Sequence, residues 1–593
     1  MKKRLILFFL LLSTLGFSQN ETLANDYFKR GEFEKALLAY QKLYSDKPGS
    51  ARYLFNLVAT HQQLQQYNEA ETLLKSRIKN STYPVYLVEL GYNYQLKKEL
   101  ELAKTQYEKA ILKVEEKPVY VTSVAKQFEA HSLLDYAIEA YKKGMQLDPK
   151  RNYNIQLAQI YGEQGNIEAM FTNYADYVAE KPEFLNNIKR ALSTFISEDS
   201  QVENNKILKK ILLKKLQAQP DAYWYDLLSW LFVQEKAYQK SFIQEKALYK
   251  RNPESLQRII QLALTTMEAK AYDISTDIFN FILSNTQNPG SIITAERYLL
   301  DIETKTAINK KAYQSIQKKY KSLFDTYGIY SQTLALQIAY ADFMSFHLHE
   351  PEAAAKFLKQ SLQLPLSSYQ KATVKLKLGD ILVYQEKFNE ALIYYSQIQT
   401  ELKSSVIAQN ARFKVAKTSY YKGDFDWAES QLKILKSSTS QLTANDALDL
   451  KLLISDNKFE DSLQVALKLY AKADLMAFQN KTDEAITLLG TILTTHKGES
   501  IEDQALLKQA KLYEDKKDYD NAIKNYQAII NHFSEDILAD DAYYFLAELY
   551  NNILNEPEKA KPLYEAILFN HEDSIYFIEA RKKFRQLRGD TIN

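Results

Sequence analysis

Apolar positions along this chain return every three or four residues, as in Tyr225-Leu228-Leu231-Phe232 and Ile274-Ile278-Phe279-Ile282. That period is helical. No stretch alternates β-branched and polar residues in the way a half-buried strand would. A slower rhythm runs over the helical one. Ala36, Ala70, Ala103, Ala137 and Met170 recur at intervals of 33–34 residues, and four positions after each stand Tyr40, Leu74, Tyr107, Tyr141 and Tyr174. Upstream of them lie Tyr27, Gly91 with Tyr94, and Ala158 with Tyr161. A small residue lets two helices approach closely, and an aromatic or leucine one turn on fills the space beside it. Pro48, Pro149 and Pro182 close three units, because proline lacks the N–H that a helix would need to continue. Gly31, Gly165 and Gly423 mark tight turns between helices, where glycine accepts left-handed backbone angles.

The period and these residue types resemble the tetratricopeptide repeat (TPR) family, whose unit is a helix–turn–helix. The resemblance implies an all-α fold, a TPR-like α-solenoid wound as a right-handed superhelix, in one arm or two. It is clear over 20–182 and returns at 372–440, 466–500 and 503–571. Gly379, Phe388, Ala391 and Tyr395 carry it in the second half, followed by Ala416, Gly423, Phe425 and Ala428, and later by Ala510, Tyr513, Ala522 and Tyr526. There the interval stretches to 37, from Ala391 to Ala428 and from Ala485 to Ala522, which predicts longer helices or turns. The expected organisation is a leader over 1–18, a TPR array over 19–182, degenerate helical repeats over 183–370, and a second array with a basic tail over 371–593. Irregular stretches are expected at Asn285–Ser291, where Asn-Pro-Gly interrupts the pattern, and through Ser437–Thr443 into 456–462.

The leader reading rests on Lys2, Lys3 and Arg4 before the apolar run Leu5–Leu12, with Gly16-Phe17-Ser18 as a small-x-small cleavage signal. The apolar run is shorter than the ~20 residues a spanning helix needs. Cleavage near Ser18–Gln19 would give a mature protein that is periplasmic or otherwise extracytoplasmic and soluble, without an integral membrane segment, though free to associate with the envelope peripherally. The phrase from Lys377 to Asn457, with Tyr420-Tyr421-Lys422-Gly423-Asp424-Phe425-Asp426-Trp427-Ala428, resembles secreted TPR proteins of Bacteroidota-type bacteria.

Composition narrows the function further. A net charge of +2 over 593 residues gives no general basic surface for nucleic acid. Cysteine is absent, so disulfides and thiolate sites are excluded. The sequence carries no phosphate-binding glycine loop, nucleophile elbow or zincin motif. Neither cofactor nor metal is expected, and the chain reads as a non-enzyme. His347-Leu348-His349-Glu350 is the one local histidine cluster; residues two apart on a helix face different ways, so a polar helix end before Pro351 is the expectation. Lys206–Lys215 is a basic amphipathic segment, expected to be an ordinary repeat helix. Residues 499–575 hold 17 acidic and 7 basic side chains, a balance of −10, and Arg581, Lys582, Lys583, Arg585 and Arg588 follow. Polar terminal faces are what an end-capping repeat needs.

In the TPR family, ligands lie along the first helix of each unit at fixed offsets from the small residue. The resemblance carries those offsets to Arg52, Phe55, Gln62 and Gln63, then Tyr92 and Gln95, Lys126 and Glu129, and Gln159 and Glu163. In the second half it carries them to Asp380, Tyr384, Lys417, Tyr420 and Tyr421. Some members grip a C-terminal carboxylate with a lysine–asparagine clamp; Ala59 stands where its first asparagine would be. The expected partner is therefore another protein or peptide. The function expected is that of a scaffold or adaptor in envelope assembly or secretion. The alternatives are a periplasmic chaperone for unfolded clients and, more remotely, an enzyme with an unrecognised site.

Overall fold

The computed structural model describes residues 21–253, 255–435, 441–458 and 464–590. The leader and its cleavage signal lie outside the described residues. Among these residues the ordered elements are helices, with no strand, and the fold is the all-α, TPR-like solenoid that the period implies. The chain divides into two compact units, one ending at Ser255 and the other beginning at Leu256. That division falls inside 183–370.

In the first unit a helix over 21–29 pairs with Phe33–Asp46, Ala51–Gln63 with Tyr67–Lys79, Val85–Leu96 with Leu100–Glu116, Val121–Ala130 with Leu134–Leu147, and Asn154–Glu163 with Ile167–Glu180. The short helix Leu185–Ser193 follows, then Glu203–Ala218, which packs on Ile167–Glu180 and Ala222–Gln234, and Ala222–Gln234 pairs with Tyr238–Arg251. The repeat small residues Ala36, Ala70, Ala103, Ala137 and Met170 are all buried. The lysine-rich segment packs as an ordinary repeat helix. Leu208, Ile211 and Leu212 enter the core beside Trp224 and Leu228, while Lys209 pairs with Glu235 and Lys215 with Asp176.

The inter-helix turn recurs with the same backbone. One residue per turn is left-handed: Gly31 (φ 76), Gln65 (58), Lys98 (65), Ser132 (55) and Gly165 (73). The next N–H donates back across five residues: Glu32 to Tyr27, Gln66 to His61, Glu99 to Tyr94, Leu133 to Phe128 and Asn166 to Tyr161, at 2.8–2.9 Å. This bond satisfies a carbonyl that the helix end would leave orphaned. Glycine fills the left-handed position in only two of the five turns, so the sequence signal there is partial.

The second unit continues the pairing through Gln257–Glu268 with Tyr272–Ser284, Pro289–Thr306 with Lys310–Tyr327, and Leu334–Phe346 with Pro351–Ser361. Asn285–Ser291 is no break. Asn288 caps the Pro289–Thr306 helix, its side chain accepting from Ser291 N–H at 3.0 Å, and Pro289 takes the first turn, where no N–H is needed. The longer period has its cause in the first helices inside its two intervals, Val406–Lys422 with 17 residues and Ile501–Asp515 with 15, against 10–13 for the first helices between Ala51 and Glu163. Ser368–Tyr384, also 17 residues, pairs with Phe388–Glu401, and Val406–Lys422 with Phe425–Leu435.

Gln441–Asn457 is then an extra helix, where an irregular stretch was expected; 436–440 and 459–463 lie outside the described residues. Its Ala447, Leu450 and Ile454 join the core formed by Ala416, Tyr420, Tyr470 and Ala505. Regular pairs resume with Val465–Phe478 and Thr482–Thr495, then Ile501–Asp515 and Tyr519–His532, then Ala539–Glu548 and Pro557–Asn570. Phe577–Arg588 closes the unit by burying Ala580 and Phe584. Its basic residues face acidic ones, with Lys583 at 4.0 Å from Glu548 and Arg585 at 3.5 Å from Asp590.

Candidate functional site

A repeated hydrogen bond decides how much of the first-helix face is free. The tyrosine that follows the small residue donates its hydroxyl back to a polar side chain on the first helix of its own unit. Tyr40 reaches Asn25 (2.7 Å), Tyr107 reaches Gln95 (2.9 Å), Tyr141 reaches Glu129 (2.7 Å) and Tyr395 reaches Asp380 (2.7 Å). Tyr526 to Glu514 and Tyr564 to Glu548 repeat it near the C-terminus. Gly91 and Gly379 make room: a Cβ at either would run into the ring of Tyr107 or Tyr395. Burial raises the pKa values of Tyr107, Tyr141 and Tyr395, so these hydroxyls stay protonated donors. Three expected groove residues, Gln95, Glu129 and Asp380, are therefore acceptors inside their own repeats. The family offsets locate them on the right helix but do not reveal the tyrosine that claims them.

In the first unit several expected positions remain available. Tyr92, Lys126 and Gln159 occupy the same offset on consecutive first helices; Lys126 and Gln159 are exposed and Tyr92 is half-buried. Gln63 and Glu163 are exposed at a second shared offset. Gln62 is buried, its amide 3.5 Å from Asn93, and Asn93 donates to the Tyr67 carbonyl at 2.9 Å. Arg52 pairs with Glu21 (2.7 Å), and Phe55 packs on Tyr86. Tyr92 is held flat by His131, with ring centroids 3.8 Å apart and planes 16° from parallel. Glu89, 3% exposed, fixes His131 by accepting its Nε2–H at 2.6 Å and also accepts from Gln127. Glu89 and Gln127 went unremarked in the sequence, where His131 is only one of several scattered histidines, because their role needs two adjacent repeats in contact.

In the second unit the expected residues are consumed by packing. Tyr420 is fully buried, and its hydroxyl has no partner among the described residues. Tyr421 and Tyr384 are half-buried in an aromatic group with Phe346 and Phe478. The end of Val465–Phe478 reaches this group. Gln479 donates to the Tyr384 carbonyl (2.9 Å) and Glu386 (3.1 Å), and Asn480 donates to the Phe346 carbonyl (3.1 Å). His349 lies 3.1 Å from the Tyr384 hydroxyl, while His347 packs beside Tyr313 and Phe343, so the two histidines serve different contacts.

Charges link the same helices. Lys377 pairs with Asp342 (2.6 Å) and Lys414 with Asp380 (2.8 Å). Lys417 and Lys508 converge on Asp474 at 2.5 and 2.7 Å. Burial alone would raise the Asp474 pKa, but the two ammonium groups hold it well below the usual carboxylate range.

Two clefts open beside these elements. One, of 570 Å³, lies between Phe33–Asp46 and Tyr67–Lys79, over Tyr44, Leu57, His61 and Leu73. The other, of 390 Å³, has the extra helix Gln441–Asn457 as one wall and Ile501–Asp515 as another. No group of three or more histidines and carboxylates among the described residues is arranged to hold a metal ion, and no helix among them is long and apolar enough to cross a membrane.

No curated protein sequence matches the chain. Among solved structures it is similar to a structure of Naa15/Naa10 bound to HypK-THB, at 12% identity over 97% of this chain and 96% of that one, with a TM-score of 0.30. It is also similar to a crystal structure of the APC/C hetero-tetramer Cut9-Hcn1, at 12% identity over 89% and 95%, with a TM-score of 0.27. Neither likeness bears on function. Tetratricopeptide repeat models match residues 21–81, the first two helix pairs, and residues 504–536, within and just beyond the Ile501–His532 pair. The chain thus carries tetratricopeptide repeats in both of its units, and its fold is of their type.

Proposed function

We propose that this protein is a non-catalytic scaffold or adaptor outside the cytoplasm, holding a polypeptide partner in envelope assembly or secretion. One observation carries the reading: the Tyr92 platform, stacked on His131 and braced by the buried Glu89. A platform braced in this way loses little entropy when a partner settles on it. Lys126 and Gln159 extend the same row with exposed polar tips. Tyrosine gives a partner a large contact area at low entropic cost. The leader reading and the resemblance to secreted TPR proteins support the location. Gln63, Tyr92 and Lys126 are the contacts we assign; Gln62, Gln95 and Glu129 support the wall from within.

A photo-crosslinking residue placed at Lys126, in protein carried to its native envelope, tests this. The expected result is one stoichiometric adduct, recovered with mature protein beginning near Gln19 and reduced at least ~10-fold by Tyr92→Ala. A ladder of many weak adducts would favour the chaperone reading, and no adduct would remove the scaffold reading.

A further inference from the structure

Nine positions before each small residue of the first unit stands a ring: Tyr27, His61, Tyr94, Phe128 and Tyr161. Four of the five are covered, and the cover comes from one of two offsets. The position just before the small residue of the same pair supplies Lys35 over Tyr27, with the ammonium 5.5 Å from the ring centroid, and Tyr136 over Phe128, with centroids 5.3 Å apart and planes 23° from parallel. The position five after the small residue of the preceding pair supplies Lys75 over Tyr94 (5.9 Å) and Lys142 over Tyr161 (5.6 Å). At His61 the same two offsets hold Glu69 and Gln41. Neither can bring a ring or an ammonium group to the imidazole. Both line the 570 Å³ cleft that opens there instead.

The lining suits a ring. Leu57 and His61 are its buried residues, at 3% and 6% exposure, and Tyr44 and Leu73 flank them half-buried. Gln41 and Glu69 stand exposed at the rim. Tyr92, Lys126 and Gln159 take no part in it. His61 is already fixed, with Nδ1 2.8 Å from Oε1 of Gln66, so covering its face orders little that was free. Two features of the same unit indicate what covers it. By repeat equivalence, the Tyr136 ring of the fourth pair fills the place that is open here, and the His131 imidazole already carries a stacked tyrosine, Tyr92, at 3.8 Å. A lysine is the lesser fit, because an ammonium group is drawn to a phenyl, phenol or indole face, and His61 offers none of them.

We infer that the cleft over His61 takes an aromatic side chain, tyrosine or tryptophan, from a polypeptide partner, and that this ring lies on the imidazole as Tyr136 lies on Phe128. Leu57 and Leu73 bury the body of the ring, while Gln41 and Glu69 accept from its O–H or N–H. The inference rests on the scaffold reading only in taking the ligand from a polypeptide; it adds a second contact to the first unit, with its own chemistry.

The chain has no cysteine, so Thr72→Cys sets a single thiol at the exposed rim of the cleft. Thr105→Cys sets one at the same offset of the next pair, whose Tyr94 ring is covered by Lys75 and Lys97. Each full-length protein is equilibrated by thiol–disulfide exchange with equal amounts of hydroxyphenylethanethiol, isoamyl thiol and cysteamine, and the mixed disulfides are read by mass spectrometry. Relative to Thr105→Cys, Thr72→Cys should capture the phenol at least ~10-fold over either competitor. Equal capture of the phenol and isoamyl thiol would overturn the inference. A preference for cysteamine would do so too, and would make Glu69 the anchor for a cation. Adding Glu69→Tyr to Thr72→Cys should abolish the preference, because a tyrosine at that offset supplies the cover that Tyr136 gives Phe128. A preference that survives Glu69→Tyr would place the phenol outside the cleft and end the assignment. Helical circular dichroism checks each variant; if Glu69→Tyr misfolds, the capture ratio of Thr72→Cys decides alone. Tyr92→Ala should leave that ratio unchanged. Loss of the Lys126 adduct with the phenol preference retained would then separate failure of the first wall from failure of this cleft.

Discussion

The two units build the same repeat and use its first-helix face in opposite ways. In the first, short helices leave Tyr92, Lys126 and Gln159 on a shared row, and the tyrosine clasps end on the uncharged amide of Gln95 or on the carboxylate of Glu129. In the second, helices of 17 residues bring Tyr384 and Tyr421 against Phe346 and Phe478. There the polar positions become ion pairs between repeats, Lys414 with Asp380 and Lys417 with Asp474. Equivalent offsets do not mean equivalent exposure. What converts the surface into an interior is the end of Val465–Phe478, whose Phe478 packs on Phe346 and Tyr421.

The largest effect should come from breaking the second unit's charge network. Asp474→Ala leaves Lys417 and Lys508 facing each other, partly desolvated, with no counter-charge. Removing one partner of such a group costs about 3 kcal/mol. Glu129→Ala in the first unit strands only the Tyr141 hydroxyl, at about 1 kcal/mol. Denaturant unfolding of the two variants measures both. If Glu129→Ala costs as much as Asp474→Ala, the distinction between a charged interior and an open wall fails.

Acid titration sets against each other two carboxylates of opposite sign, Glu71 in the first unit and Asp503 in the second. Hydrogen bonding from Lys75, opposed by burial and aided by Lys97 and Tyr94, lowers the Glu71 pKa to about 2. A depressed carboxylate stabilises the fold above its unfolded value of ~4.3, and that contribution is lost as pH falls toward 2. Asp503 is the reverse. Burial raises it to about 6, and Asp536 and Asp456 add their charge. The folded state then holds the proton more tightly than the unfolded chain, so stability falls as pH rises from ~4 to 6 and stays lower above. Glu71→Gln should therefore destabilise at neutral pH by about 2 kcal/mol, with the difference closing below about pH 3. Asp503→Asn should stabilise above pH 6 by about 2 kcal/mol and change little near pH 4. The observable is the difference in unfolding free energy from the parent at each pH. Parallel curves for the two variants would sink the assignment.

The fold was legible because it is written in short-range pattern. Ala36 to Met170 mark the helix pairs, and their companions Tyr40 to Tyr174 mark the packing between helices. The candidate surface was legible only in part. Tyr92, Lys126 and Gln63 fall on available positions, whereas Tyr420 does not, because its ring packs on Tyr421 and Phe425 and sits in one core with Tyr470. Register distinguishes Tyr420 from Tyr92: Tyr92 stands eleven residues before Ala103, whereas Tyr420 stands eight before Ala428, the inward offset that Gln95 and Glu129 occupy in the first unit. Asp474 is not legible in this way, because its two lysines come from positions 57 and 34 residues away. Periodicity reveals what repeats, and these contacts are made by what does not.

The smallest expected effect tests the turns, where the backbone is shared and only the side chains differ. Lys98 and Glu386 are both left-handed, at φ 65 and 58, and the residue after each donates back across five residues at 2.9 Å. A side chain in that conformation costs roughly 1–2 kcal/mol relative to its ordinary region. Glycine removes the strain but adds freedom to the unfolded chain, returning roughly 0.5–1 kcal/mol. Lys98 is exposed, so Lys98→Gly should be a net gain of about 0.5 kcal/mol. Glu386 makes a further contact. Its carboxylate accepts from Gln479 at 3.1 Å and so helps hold Val465–Phe478 against the earlier repeats. Glu386→Gly loses that bond, worth about 1 kcal/mol, and the gain should vanish or reverse. Thermal unfolding of the two single variants reads the contrast directly. Equal stabilisation would mean that Gln479 is held by the Tyr384 carbonyl alone, and that the second unit is no more tightly tied at this turn than the first.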